Sequence, residues 1–197
     1  MPFLVFDVDG VTLDYQTGYR EFLKKTFSIS ENPKEIHVTP KDADWQFLNS
    51  KEIGELKPLI DPAEFNRVTQ GAKILFVTNL PTHLKGLREK NLRNLGFQFE
   101  EVIMAGFETY GEENYPTKGQ ILLNHIGRFE RFCFVDDYPE NCDEVAMDFP
   151  KSKVLMLQGY YDTPPGHLRF EKVKDWPALK PILINFITHF SSKKEME

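Results

Sequence analysis

Short apolar runs, each closed by a polar residue and separated by helix-like stretches, constrain this chain more than any other feature. Phe3–Phe6 ends at Asp7, and Lys73–Thr78, Glu101–Ala105, Arg131–Asp136 and Lys153–Leu157 follow. Runs of this length, continuous rather than alternating, read as strands buried on both faces, the habit of parallel sheets. Pro81 opens the first intervening helical pattern, with Leu84, Leu87, Leu92 and Leu95 as its apolar stripe and Gly96 as its stop. Thr117 reads as the N-cap of a helix through His125, and Pro139–Met147 and Ala178–Phe190 as two more. Strand-helix alternation implies parallel strands joined by right-handed crossovers, hence a three-layer, doubly wound α/β domain. In such sheets ligands sit beyond the carboxyl ends of the strands. Asp7, Thr78 with Asn79, and Asp136 with Asp137 occupy those ends, so they are expected to meet at one crevice.

Residues 10 to 72 break this rhythm. A helical pattern at Thr17–Phe27 leads into a polar, irregular middle at Ser28–Lys41, and a second helical region is expected over Ser50–Thr69. So long an excursion between the first two strands is usually functional. The expected organisation is a catalytic core of residues 1–10 and 70–197, with residues 11–69 forming a flap and a small helical cap. Trp45 and Phe47 in that insert either line a substrate pocket or pin the insert down, and the second role fits a small module that needs aromatic core. Tyr138 and the pair Tyr160–Tyr161 are candidates for the crevice rim. Ser191–Glu197 reads as a charged tail.

Composition removes several function classes. A net charge of −6 gives no general attraction to nucleic acid or to an anionic membrane, so no membrane partner and no sequence-specific nucleic-acid binding are expected. An anionic substrate therefore needs local neutralisation. Cys133 and Cys142 make no disulfide framework. The opening Met-Pro-Phe-Leu-Val-Phe-Asp has no basic segment and too short an apolar run for a signal peptide, and no stretch approaches the ~20 apolar residues of a spanning helix. A cytoplasmic location is the expectation. The five histidines are scattered, none at ligand spacing with another His or a Cys, which argues against zinc. The basic residues of the Pro81–Leu95 helix, Lys85, Arg88, Lys90 and Arg93, read as a solvated face. Neither of the Gly-rich nucleotide signatures, Gly-x-x-x-x-Gly-Lys or Gly-x-Gly-x-x-Gly, is present.

The polar strand ends carry a chemistry of their own. Asp7 and Asp9, two apart at a strand end, leave room for one metal between a carboxylate and a backbone carbonyl, and Gly10 lets the chain turn out of the sheet. Lys118 opens a helix, where the positive end of the helix dipole disfavours a cation unless it faces an anion. Asp136 and Asp137, adjacent at the end of a buried strand, repel each other unless a cation or hydrogen-bond donors neutralise them. Oxygen ligands of this kind suit octahedral Mg²⁺.

The segment Phe3-Leu-Val-Phe-Asp-Val-Asp-Gly-Val-Thr-Leu13 resembles the first motif of the haloacid dehalogenase superfamily, and the later elements Ile74-Leu-Phe-Val-Thr-Asn79, Pro116-Thr-Lys-Gly-Gln120 and Phe132-Cys-Phe-Val-Asp-Asp137 follow in that superfamily's order. A phosphoacceptor receiver domain uses similar residues, but there the acidic pair precedes the acceptor Asp. The resemblance implies a Mg²⁺-dependent phosphatase in which Asp7 is the nucleophile and Asp9 the general acid and base. Thr78 and Asn79 would bind the phosphoryl group together with Lys118. The metal would be held by Asp7, the Asp9 carbonyl and Asp136 as the direct ligand of the acidic pair, with Asp137 supporting it, though the two could exchange. Haloalkanoate- and phosphonate-cleaving members lack a carboxylate at the position of Asp9, so its presence favours phosphate esters. The partner would be a phosphorylated small molecule, nucleotide or phosphoprotein. A phosphotransferase or mutase, and a non-catalytic binding protein on the same fold, stay open as alternatives.

Overall fold

A computed structural model describes residues 1–28, 42–106, 116–127, 130–159, 161 and 169–194. Most of the irregular stretch Ser28–Lys41, Tyr160, and residues 195–197 of the charged tail lie outside the described residues. Six strands form one parallel sheet: β1 (Phe3–Asp7), β2 (Lys73–Thr78), β3 (Glu101–Met104), β4 (Phe132–Asp136), β5 (Lys153–Leu157) and β6 (Glu171–Val173). Their spatial order is β3-β2-β1-β4-β5-β6. The winding direction reverses between β1 and β4, and such a reversal opens a crevice at the strand ends.

Side chains alternate across the sheet and build two cores. Leu4, Phe6, Phe76, Cys133 and Val135 face one side, while Val5, Leu75, Val77, Phe132 and Phe134 face the other. The first side is covered by α1 (Tyr15–Phe27), α2 (Ala43–Leu48), α3 (Pro62–Val68), α4 (Lys85–Leu95) and α7 (Trp176–Lys194), and the second by α5 (Lys118–His125) and α6 (Pro139–Asp148). This is the expected three-layer α/β architecture. Cys133 and Cys142 are buried and free. No helix among the described residues is long and apolar enough to cross a membrane.

Several boundaries differ from the sequence reading for identifiable reasons. α1 starts at Tyr15, because the Asp14 carboxylate caps it by accepting from the Thr17 N–H at 3.0 Å. The helical region expected over Ser50–Thr69 is divided into a 3₁₀ turn at Glu52–Gly54 and α3, which Asp61 caps and Pro62 opens. Pro81 precedes a 3₁₀ turn at Thr82–Leu84, and α4 follows until Gly96, at φ +97°, stops it. The sequence reading contains no counterpart of β6. It has three residues, two of them exposed, at the sheet edge, so no apolar run announces it.

The insert shares its core with the sheet. Phe65 on α3 packs edge-on against Phe6 at 5.0 Å and stacks on Trp176 at 6.0 Å, and Glu64 accepts hydrogen bonds from Trp176 Nε1 and Lys180 Nζ, both at 2.8 Å. Phe47 is fully buried, against Tyr15, Tyr19 and Phe22. These contacts set the floor on which α2 stands beside the crevice.

Candidate active site

The parallel register of β1 and β4 pairs Phe6 with Val135, so Asp7 and Asp136 leave the sheet side by side. Both are buried, as is Asp137. Carboxylate oxygens of Asp7, Asp136 and Asp137 all lie within 4.8 Å of one another. Gly10 makes room for them: at φ +104° it turns the chain away, and a Cβ there would overlap the Asp137 carboxylate. The Thr12 hydroxyl donates to the Asp7 carbonyl at 2.8 Å and ties that turn to the strand end. Three buried hard-oxygen ligands at this spacing fit a divalent cation such as Mg²⁺.

Lys118 reaches the same point from the first residue of α5, where Thr117 caps the helix in a reciprocal pair with Gln120. Its buried ammonium donates to Asp7 and, at 2.7 Å, to Asp136. Asp136 also accepts from the Tyr138 N–H at 2.8 Å and from Asn141 Nδ2 at 3.2 Å to each oxygen. Asn79 lines the cavity above this floor.

The Asp9 carboxylate turns elsewhere. One oxygen accepts from the Thr78 hydroxyl at 2.7 Å, and the other from Arg88 Nη2 at 2.7 Å. A hydroxyl donates to the strongest acceptor in reach, and here that is a carboxylate. Thr78 also accepts the Leu80 N–H at 3.2 Å. Arg88 corrects the sequence reading outright. It is 1% exposed, not solvated, and it further donates to the Ile53 carbonyl at 3.3 Å and to Asn91 Oδ1 at 3.2 Å. The helical spacing that carries Leu84, Leu92 and Leu95 inward also carries positions 88 and 91, whereas Leu87 is 38% exposed. That spacing was the available signal: two polar residues on a buried helical face require partners.

No family model matches the chain, and no curated protein matches its sequence. Solved structures do match. A HAD-superfamily hydrolase from Geobacter sulfurreducens superposes with a TM-score of 0.59 at 14% identity, over 93% of this chain and 96% of its own. The fold is the haloacid dehalogenase fold. The D,D-heptose 1,7-bisphosphate phosphatase from B. bronchiseptica, complexed with magnesium and phosphate, matches at TM-score 0.55 and 15% identity over 94% and 99% of the two chains. The defluorinating L-2-haloacid dehalogenase Rha0230 matches at TM-score 0.61 and 13% identity over 93% and 95%. The haloacid dehalogenase fold therefore accommodates at least two chemistries among these neighbours.

Electrostatics marks the same floor. Burial, reinforced by the neighbouring Asp136, pushes the Asp137 carboxyl up to about 7. Burial likewise raises Asp7 well above the usual carboxylate range; Lys118 opposes the rise, and Asp136 and Asp137 add to it. Burial pulls Lys118 down, but Asp136 and Asp7 outweigh it and leave the ammonium raised. The two raised carboxyls have a sign consequence. Their folded values exceed the unfolded ones, so the fold retains protons that the unfolded chain releases, and stability falls as pH rises from about 4 to about 7. In EDTA, Asp137→Asn should melt with its parent near pH 4 and roughly 5 °C above it at pH 8. Added Mg²⁺ should reverse that order at pH 8, because the parent keeps the ligand. Coincident melts at both pH values would remove Asp137 from the strained cluster.

Proposed function

We propose that this chain is a Mg²⁺-dependent phosphatase acting on phosphomonoesters through an aspartyl-phosphate on Asp7. The observation that carries the proposal is the meeting of Asp7, Asp136 and Asp137 around Lys118 at the switch point of the sheet, with a second carboxylate, Asp9, two residues along. The neighbour complexed with magnesium and phosphate supports the same reading. Asp9 favours it over halide displacement, because halide is a leaving group that needs no proton whereas an alkoxide does.

Asp7 attacks phosphorus, and the P–O bond to the leaving group breaks as Asp9 supplies the proton to that oxygen. Water then attacks the aspartyl-phosphate, Asp9 takes its proton, and phosphate leaves with Asp7 restored. Lys118 neutralises charge on Asp7 and on the phosphoryl oxygens, and Thr78 and Arg88 orient Asp9, each holding one of its carboxylate oxygens. Asp7, Asp136, Asp137 and the Asp9 carbonyl would hold Mg²⁺, which supplies further positive charge for the phosphoryl oxygens. We assign residues 11–69 as the flap and cap. If a substrate hydroxyl takes the place of water, the same steps make a phosphotransferase, and product analysis separates the two.

The test is release of phosphate from p-nitrophenyl phosphate with Mg²⁺ and with EDTA. Turnover only with Mg²⁺ is expected, and Asp9→Asn should lower kcat by about 10²–10⁴-fold. Turnover undiminished in EDTA, or by the Asp9 substitution, would refute the mechanism.

A further inference from the structure

We propose that the outer part of the cavity is a leaving-group subsite for a flat aromatic ring, which makes the substrate a monophosphate ester carrying such a ring and no second anionic group. This rests on the phosphatase reading of the floor. The cavity is about 670 Å³, a size that holds a nucleotide-sized ligand. Its floor is the carboxylate cluster, and its walls rise from two different flanks. On the β2 flank, Trp45 of α2 lines the cavity and is backed edge-on at 5.9 Å by His83, which follows β2. On the β4 and β5 flank, Tyr138 and Tyr161 meet edge-to-face at 4.8 Å. Because β1 lies between β2 and β4, these rings stand on opposite sides of Asp7.

The two tyrosines are 37% and 42% exposed, so their rings are open to a ligand at the mouth of the cavity. Leu48 of α2 and Pro81 after β2 add apolar surface to the Trp45 flank. Aromatic faces of this kind bind planar rings by stacking, at little cost in side-chain entropy. Charge narrows the class further. Beyond Lys118 and the carboxylates Asp7, Asp9, Asp136 and Asp137, Asp44 is the one charged side chain among the described lining residues, and Tyr19 donates to it. A second phosphate or a carboxylate on the substrate would find a like charge there and, among the described lining residues, no cation above the floor. The ring must therefore carry no negative charge.

The experiment compares kcat/KM with Mg²⁺ for adenosine 5′-monophosphate and phenyl phosphate, which carry rings, with ribose 5-phosphate and glycerol 1-phosphate, which do not, and with adenosine 5′-diphosphate, which carries a second phosphate. Ring-bearing monophosphates should exceed ribose 5-phosphate by at least about ten-fold. The diphosphate should fall at least about ten-fold below the monophosphate. Trp45→Leu and Tyr138→Ala should each lower the ratio of ring-bearing to ringless esters about ten-fold, through KM, with melting curves confirming that both variants fold. A higher value for adenosine 5′-monophosphate than for phenyl phosphate indicates a ring carried beyond a sugar, and the reverse indicates a ring bonded directly to the ester oxygen. Equal turnover of ringed and ringless esters would overturn the subsite and leave the phosphatase reading standing. No turnover of any ester, p-nitrophenyl phosphate included, would overturn both.

Discussion

Asp7→Asn should lose Mg²⁺-dependent phosphate release by at least about 10⁴-fold, and no phosphoenzyme should be trapped from it. The asparagine amide has nearly the shape of the carboxylate but is no nucleophile, so the covalent route closes while the site keeps its form. The structure predicts that this loss is not a folding defect. The Asp7 carboxyl is buried, and its value is raised by that burial against the opposing pull of Lys118, with Asp136 and Asp137 adding to the rise. A neutral side chain therefore relieves repulsion, and Lys118 retains Asp136 at 2.7 Å. In EDTA at pH 8 the variant should melt no lower than its parent. The rise in Tm that Mg²⁺ gives the parent should shrink, since one of three clustered carboxylates is gone. The stability of the metal-free parent is thus traded against its chemistry, as expected where like charges are held together for use. Retained turnover in Asp7→Asn would show that another group attacks phosphorus.

How far the sequence alone reaches is visible in particular residues. β1, β2, β4 and β5 were legible because a strand buried on both faces leaves a continuous apolar run, and their order along the chain already placed Asp7, Thr78 and Asp136 at strand ends. Lys118 was legible through the misfit of a cation at a helix start. β6 was not, because a three-residue edge strand with two exposed side chains has no pattern to read. α2 was not, because six residues give less than two turns of periodicity. Arg88 was misread for a different reason. A basic residue among other basic residues resembles a wet surface, and its partner lies 79 positions away, at Asp9. Nothing local reveals such a pair except the helical phase it shares with Leu84 and Leu92.

Arg88→Ala should lower Tm by roughly 10 °C, because removing one member of a buried ion pair typically costs about 3–5 kcal/mol and strands the other charge. Asp9 would keep only Thr78, and the insert would lose the hydrogen bond at the Ile53 carbonyl. Size and charge are separated by Arg88→Met, which restores volume without the guanidinium. It should remain several degrees below the parent, whereas the double variant Arg88→Met with Asp9→Asn should recover most of the difference, giving a coupling of about 2 kcal/mol or more. Arg88→Lys should fall between, since an ammonium can reach Asp9 but cannot span Asp9, Ile53 and Asn91 together as the planar fork does. Arg88 touches no substrate in the proposed mechanism, so it acts on rate through the orientation of Asp9. In Arg88→Met, kcat should drop by about 10²-fold with KM little changed, the loss being larger for an alkyl phosphate than for p-nitrophenyl phosphate, whose leaving group needs less protonation. Equal losses for the two esters would mean that Arg88 holds the fold together without positioning the carboxylate.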